Sequence, residues 1–171
     1  MLKENIKFIL LFLFLTLGYC LFSCDDDGCT NPTPIISGDE EKIREIEEIS
    51  RDTVLLDEQK VFLAAEVWRN MMPTTDTDCD YRGLIVKLDI KSSSNFLFLD
   101  MVEFKKLYAI QNNKMWIAEV KDENEEENGS IVFRDGPEWE VGSTIDIYFE
   151  ITKDGNKKIL RKVNVEIAGP E

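Results

Sequence analysis

The stretch that decides the fold is Thr144–Thr152, TIDIYFEIT, followed across Asp154-Gly155 by Lys158–Ile167, KILRKVNVEI. Ile145, Ile147, Phe149 and Ile151 alternate with Asp146, Tyr148 and Glu150. That period of two is the pattern of a strand with one face on a core and one toward solvent. Asp-Gly between two such runs is the signal for a tight hairpin, because both central residues of that turn need positive φ. In the second run, Ile159, Val163, Val165 and Ile167 are expected to line one face.

The same period spreads outward from this hairpin. Lys60–Arg69, KVFLAAEVWR, puts Val61, Leu63, Ala65 and Val67 on one side. Leu84–Ile90, LIVKLDI, turns Leu84, Val86, Leu88 and Ile90 inward, with Lys87 and Asp89 outward. Asn112-Asn113 separates Leu107–Gln111 from Lys114–Val120, and Asn tolerates positive φ in such turns. Asp122–Asn128 is an acidic loop leading to Ile131–Phe133, and Asp135-Gly136-Pro137 breaks the chain after it. Asn128-Gly129-Ser130, formally an N-glycosylation pattern, reads as a turn. Seven to nine strands in about 110 residues predict a mainly β domain, an antiparallel sandwich (Ig-like) or a small barrel (OB-like).

Upstream the period changes. Asp39–Ser50, DEEKIREIEEIS, spaces Ile43, Ile46 and Ile49 three apart, with acidic residues in the first turn. A short amphipathic helix follows, with Ser37 and Glu40 as a capping box and the Ile stripe as its packing face. Gly28–Gly38 contains Pro32 and Pro34 and no period, and reads as an extended spacer. Before it, Lys3 and Lys7 precede Phe8–Phe22, FILLFLFLTLGYCLF. Fifteen helical residues reach about 22 Å, short of a hydrocarbon core of about 30 Å. An export signal is therefore expected rather than a membrane-spanning anchor.

The end of that segment, Leu21-Phe22-Ser23-Cys24, resembles the lipobox of bacterial lipoproteins, with Phe22 bulkier than the family's usual residue there. The resemblance implies that residues 1–23 are a signal peptide and that Cys24 is lipidated. It makes 24–38 a tether, 39–59 a short helix and linker, and 60–171 the β-domain. Several acyl chains, at about 0.8 kcal/mol per buried CH₂, hold a protein on a bilayer without further help. Asp25-Asp26-Asp27 resembles the acidic tract of surface-exported lipoproteins, and Asp25 resembles a retention signal of other bacteria. The expected location is the outer membrane, facing the surface or the periplasm. Asp52-Thr53-Val54 resembles the O-glycosylation acceptor of some bacterial surface proteins.

Composition removes several functions. The 171 residues carry 20 Lys+Arg against 34 Asp+Glu, a net charge of −14. A chain this acidic does not displace counterions from a phosphate backbone, so no nucleic-acid partner is expected. It has no His, the commonest general base and metal ligand. No G-x-S-x-G, catalytic triad or Gly-rich phosphate loop is present, and no cofactor is expected. With Cys24 lipidated, Cys29 and Cys79 are expected to pair, closing a loop of about 50 residues worth about 4 kcal/mol. Asp76, Asp78 and Asp80 resemble the start of an EF-hand loop, but Tyr81 stands where Gly is needed and Lys87 where the bidentate Glu is needed. A solvated loop is expected there, with those three carboxylates as the calcium candidates. The reading is a membrane-anchored, non-catalytic binding module with a protein or glycan partner. Its expected surface is Met71, Met72 and the loop carrying Trp139. The alternatives are a lipid-anchored protease inhibitor or a structural part of a surface assembly.

Overall fold

The structure is a computed structural model and describes residues 33–70, 82–92, 102–121, 124 and 130–169. They belong to one compact unit, Pro32–Thr75 with Asp80–Glu171. Its elements in chain order are β1 (Ile35–Ser37), α1 (Glu40–Ile49), β2 (Thr53–Leu56), β3 (Gln59–Arg69), β4 (Leu84–Ser92), β5 (Glu103–Gln111), β6 (Lys114–Glu119), β7 (Ser130–Phe133), β8 (Thr144–Lys153) and β9 (Asn156–Ala168). The domain is mainly β, as expected. The strand order is β1-β6-β5-β8-β9-β3-β4-β7, with β2 paired to β3 off that path. Strand pairs are antiparallel except β3 with β9, which run parallel through Val67–Ile167 and Trp68–Ala168.

The period-two pattern maps onto one shared core. Val61, Leu63 and Val67 of β3 and Leu84, Val86 and Leu88 of β4 meet Leu107, Ala109, Trp116, Ile145, Ile147 and Phe149 from the other half of the sheet. Ala65 packs against the same core. Each fully buried aliphatic or aromatic side chain contributes about 1.5–3 kcal/mol, so this interior dominates the fold. Phe133 sets its ring edge-on to Phe149 at 6.2 Å between centroids.

The opposite face of β5, β6, β8 and β9 is covered by α1. Ile43 and Ile46 pack on Tyr108, Ile110, Met115, Tyr148 and Ile159, so Tyr148 is buried rather than solvent-facing. Ile49, third in the stripe, is 45% exposed. The helix cap differs from the expected box: Asp39 is the N-cap and accepts the Lys42 N–H at 3.0 Å, while Ser37 Oγ accepts the Asp39 N–H. Ser37 itself belongs to β1, which pairs with β6 through Ile36–Trp116. The sheet thus begins at Ile35, within the stretch read as spacer, and a further strand, β2, precedes residue 60.

Three tight turns fix the hairpin registers. Asp154 and Gly155, Asn112 and Asn113, and Asp57 and Glu58 all have positive φ, and each pair is flanked by directly paired residues. Those are the two-residue turns that match strand twist. The first two were expected. The third was not, since Asp-Glu carries no Gly or Asn to mark it.

Candidate functional site: a basic seam between two strand edges

The Asp57-Glu58 and Asp154-Gly155 turns lie together, because Lys153 Nζ pairs with the Asp57 carboxylate. β2 runs toward this end of the sheet and β9 away from it, so the two strands are antiparallel neighbours. They nevertheless form no ladder: β2 pairs with β3, and the lower half of β9 pairs with β8. Their junction is a single bridge above, where the Arg51 N–H donates to the Ile159 carbonyl and the Arg161 N–H to the Arg51 carbonyl, both at 3.0 Å. The chain then bends at Asp52 and returns as β2.

Between bridge and turns lies an open groove of about 490 Å³, lined by Ile49, Arg51, Thr53, Leu55, Lys157, Lys158 and the flanks of Val54 and Ile159. Hydrogen-bond alternation shows which backbone groups face it. Ile159 turns its carbonyl away from β8 to meet Arg51, so Lys157, two residues earlier, directs its own N–H and C=O the same way. On β2, the turn-closing pair Leu56–Gln59 bonds to β3, and so does Val54 two residues before. Thr53 and Leu55 therefore point their peptide groups outward, into the groove. Among the described residues, no backbone hydrogen bond joins these two edges.

The side chains add charge and apolar surface. The Arg51 guanidinium is held by the helix-end carbonyls, donating from NH1 to Glu48 at 2.6 Å and Ser50 at 2.7 Å. It meets no carboxylate among the described residues, and neither does Lys158. Lys157 Nζ pairs with Glu150 Oε2 at 2.9 Å, and Tyr108 O–H donates to that same oxygen at 2.9 Å. Burial raises the Glu150 pKa, but the Lys157 and Tyr108 donors outweigh it and hold the carboxyl below its ordinary value. Burial, reinforced by the bond to Glu150, pushes the Tyr108 phenol far up. This trio is an ionised acceptor with two donors, placed on the face of β5, β8 and β9 that α1 covers. Leu55, 62% exposed, and Ile49 form the aliphatic rim.

The stems of the loops expected to carry the surface lie at the far end of β3 from the seam. Met71, Met72, Asp76, Asp78, Asp80 and Cys79 lie outside the described residues, as do Cys24 and Cys29. The stems of the two expected loops do come together: Arg69 pairs with Glu138 at 3.4 Å and donates to the Arg82 carbonyl at 2.9 Å, while Leu84 and Gly136 exchange backbone hydrogen bonds. Trp139 is half-buried against the core rather than projecting from its loop. Among the described residues no three His, Cys, Asp or Glu side chains are grouped to hold a metal ion, and no helix is long and apolar enough to cross a membrane.

Sequence reading passed over Arg51, Leu55 and Lys158. The signal within reach was the Lys157-Lys158 pair beside a hairpin turn in a strongly acidic chain. The chain matches no protein-family model, and no curated protein or solved structure is significantly similar to it.

Proposed function

We propose that this protein is a lipid-anchored, non-catalytic binding module that holds an anionic partner in the seam between β2 and β9. The observation that carries the reading is the groove itself. Two strand edges whose peptide groups find no backbone partner among the described residues face it, and Arg51 and Lys158 bring cations that meet no described carboxylate, in a chain of net charge −14. Positive charge concentrated against the sign of the whole molecule steers and selects an acidic partner. The Leu21-Phe22-Ser23-Cys24 pattern supports attachment through Cys24, which leaves the domain on a tether at the outer membrane.

Affinity capture from the native envelope with the full chain and with Lys158→Glu tests this. A partner retained by the wild-type chain and depleted at least tenfold by the variant is expected. Equal recovery by both overturns the reading. A protease recovered and inhibited one to one would identify the partner as an enzyme target. Palmitate labelling that disappears in Cys24→Ser checks the anchor.

A further inference from the structure

We propose that Thr53 carries an O-linked sugar and that this sugar lies over Phe62 and Leu55; the proposal goes beyond the binding reading above and stands apart from it. Asp52-Thr53-Val54 is the acceptor-like triplet of the sequence, and the fold presents it to an outside enzyme. Arg51 is tied to β9 by two backbone bonds, the chain bends at Asp52, and β2 begins at Thr53, so the triplet sits on a fixed corner. Asp52 holds that corner from outside, accepting from Arg161 Nε at 2.8 Å. Val54 turns into the core, while Thr53 is exposed and its hydroxyl makes no hydrogen bond to another described residue. Around this hydroxyl the surface is apolar. Phe62 stands directly opposite Thr53 across the β2–β3 ladder, so the two side chains share one face with Cβ atoms about 5 Å apart. Leu55, two residues along β2, projects from the same face about 7 Å away. Phe62 is 41% exposed and Leu55 62%. A pyranose linked to Thr53 Oγ1 reaches both, and its C–H face covers the Phe62 ring, taking apolar surface out of water. Phe62 lies on the far side of β2 from β9, so the sugar leaves the seam open.

The step is a glycosyl transfer. Thr53 Oγ1 bonds to C1 of a sugar supplied as its diphosphate ester, the bond from C1 to the diphosphate breaks, and the hydroxyl proton passes to a base of the transferase. This chain contributes the acceptor alone. Trypsin isolates that acceptor, because cleavage after Arg51 and Lys60 releases DTVLLDEQK, residues 52–60, in which Thr53 is the only residue bearing a hydroxyl. In the full chain purified from its native envelope, mass spectrometry of this peptide is expected to show the added mass of one or more sugar residues, lost on mild alkaline β-elimination. Thr53→Ser should retain the added mass, and the peptide from cell-free synthesis should lack it. An unmodified peptide from the native envelope overturns the proposal. The placement over Phe62 is read by melting temperature on chains from the same envelope. Thr53→Val keeps the β-branch but has no hydroxyl, and should melt below wild type. In a Phe62→Ser background the same substitution should make no difference. An equal loss in both backgrounds overturns the placement on Phe62.

Discussion

The carboxylate of Asp146 accepts the backbone N–H of Asn164 at 2.8 Å, and this bond sits at the point where β9 slips by one residue against β8. Ile147 pairs with Lys162 but Ile145 pairs with Val165, so β9 carries an extra residue between them. Asn164 takes the strain, at φ +56°. A bulge of this kind reverses which face every later side chain occupies.

Substituting Asn164 with Val is therefore expected to cost about 1–2 kcal/mol, since a β-branched residue is poorly tolerated at left-handed φ. Asn164→Gly should stay within about 1 kcal/mol of wild type, because Gly adopts that φ freely. Asp146→Ala removes the acceptor and should cost about 1 kcal/mol. Urea midpoints check all three. Equal stability of the Val and Gly variants would show that the bulge is not what fixes residue 164.

The same bulge explains where sequence reading stopped. Ile159, Val163, Val165 and Ile167 look like one stripe. In the fold Ile159 packs under α1, Val163 is 39% exposed, and only Val165 and Ile167 reach the core. Period two holds along a regular strand and carries no record of an inserted residue. Strands β3 to β9, most of their core faces and two of the three turns were legible, because alternation and Asp-Gly or Asn-Asn chemistry are local; β1 and β2 were not. The seam was not. It arises from a bend at Asp52 and from two strands that approach without pairing, and nothing local to either strand encodes that. Tyr148 was misplaced for a related reason: its strand is covered on both faces, and the second cover comes from α1, about a hundred residues earlier in the chain.

Gly136 is expected to resist any side chain. A Cβ there would stand 2.7 Å and 2.8 Å from atoms of the Trp116 ring and 3.0 Å from the Leu84 Cβ. Trp116 is 2% exposed, so its ring has no room to withdraw. Gly136→Ala should cost about 1–3 kcal/mol, the usual range for overpacking, and should perturb tryptophan fluorescence. Unchanged stability and emission would mean the loop at 134–142 moves away freely.

The helix predicts a contrast between neighbours in one stripe. Ile46 is 4% exposed over Tyr108 and Tyr148, whereas Ile49 lies open at the groove. Ile46→Ala should cost about 2–4 kcal/mol through the cavity it leaves, and Ile49→Ala about 0.5 kcal/mol or less. Denaturant melts of both variants separate the two roles. Equal destabilisation by the pair would place Ile49 in the core after all.

The buried phenols give the fold an alkaline limit. Burial, then the carboxylates of Asp146 and Glu47, push the Tyr148 pKa up to about 12, and Tyr108 is raised as well. In the unfolded chain these phenols ionise near pH 10. Between there and their folded values the native state binds more protons than the unfolded state, so stability falls as pH rises. The contribution is complete below about pH 10 and disappears as pH climbs through the folded values. Unfolding midpoints in urea should hold steady from neutrality and then drop above that point. Tyr148→Phe cannot ionise and should flatten the drop, while its loss of stability at neutral pH stays small because the Tyr148 hydroxyl donates no hydrogen bond to another described residue. Tyr108→Phe should flatten the drop too, but it also strips a donor from Glu150 and should cost about 1 kcal/mol at neutral pH. A slope above pH 10 that is the same in wild type and Tyr148→Phe would show that this phenol does not set the alkaline limit.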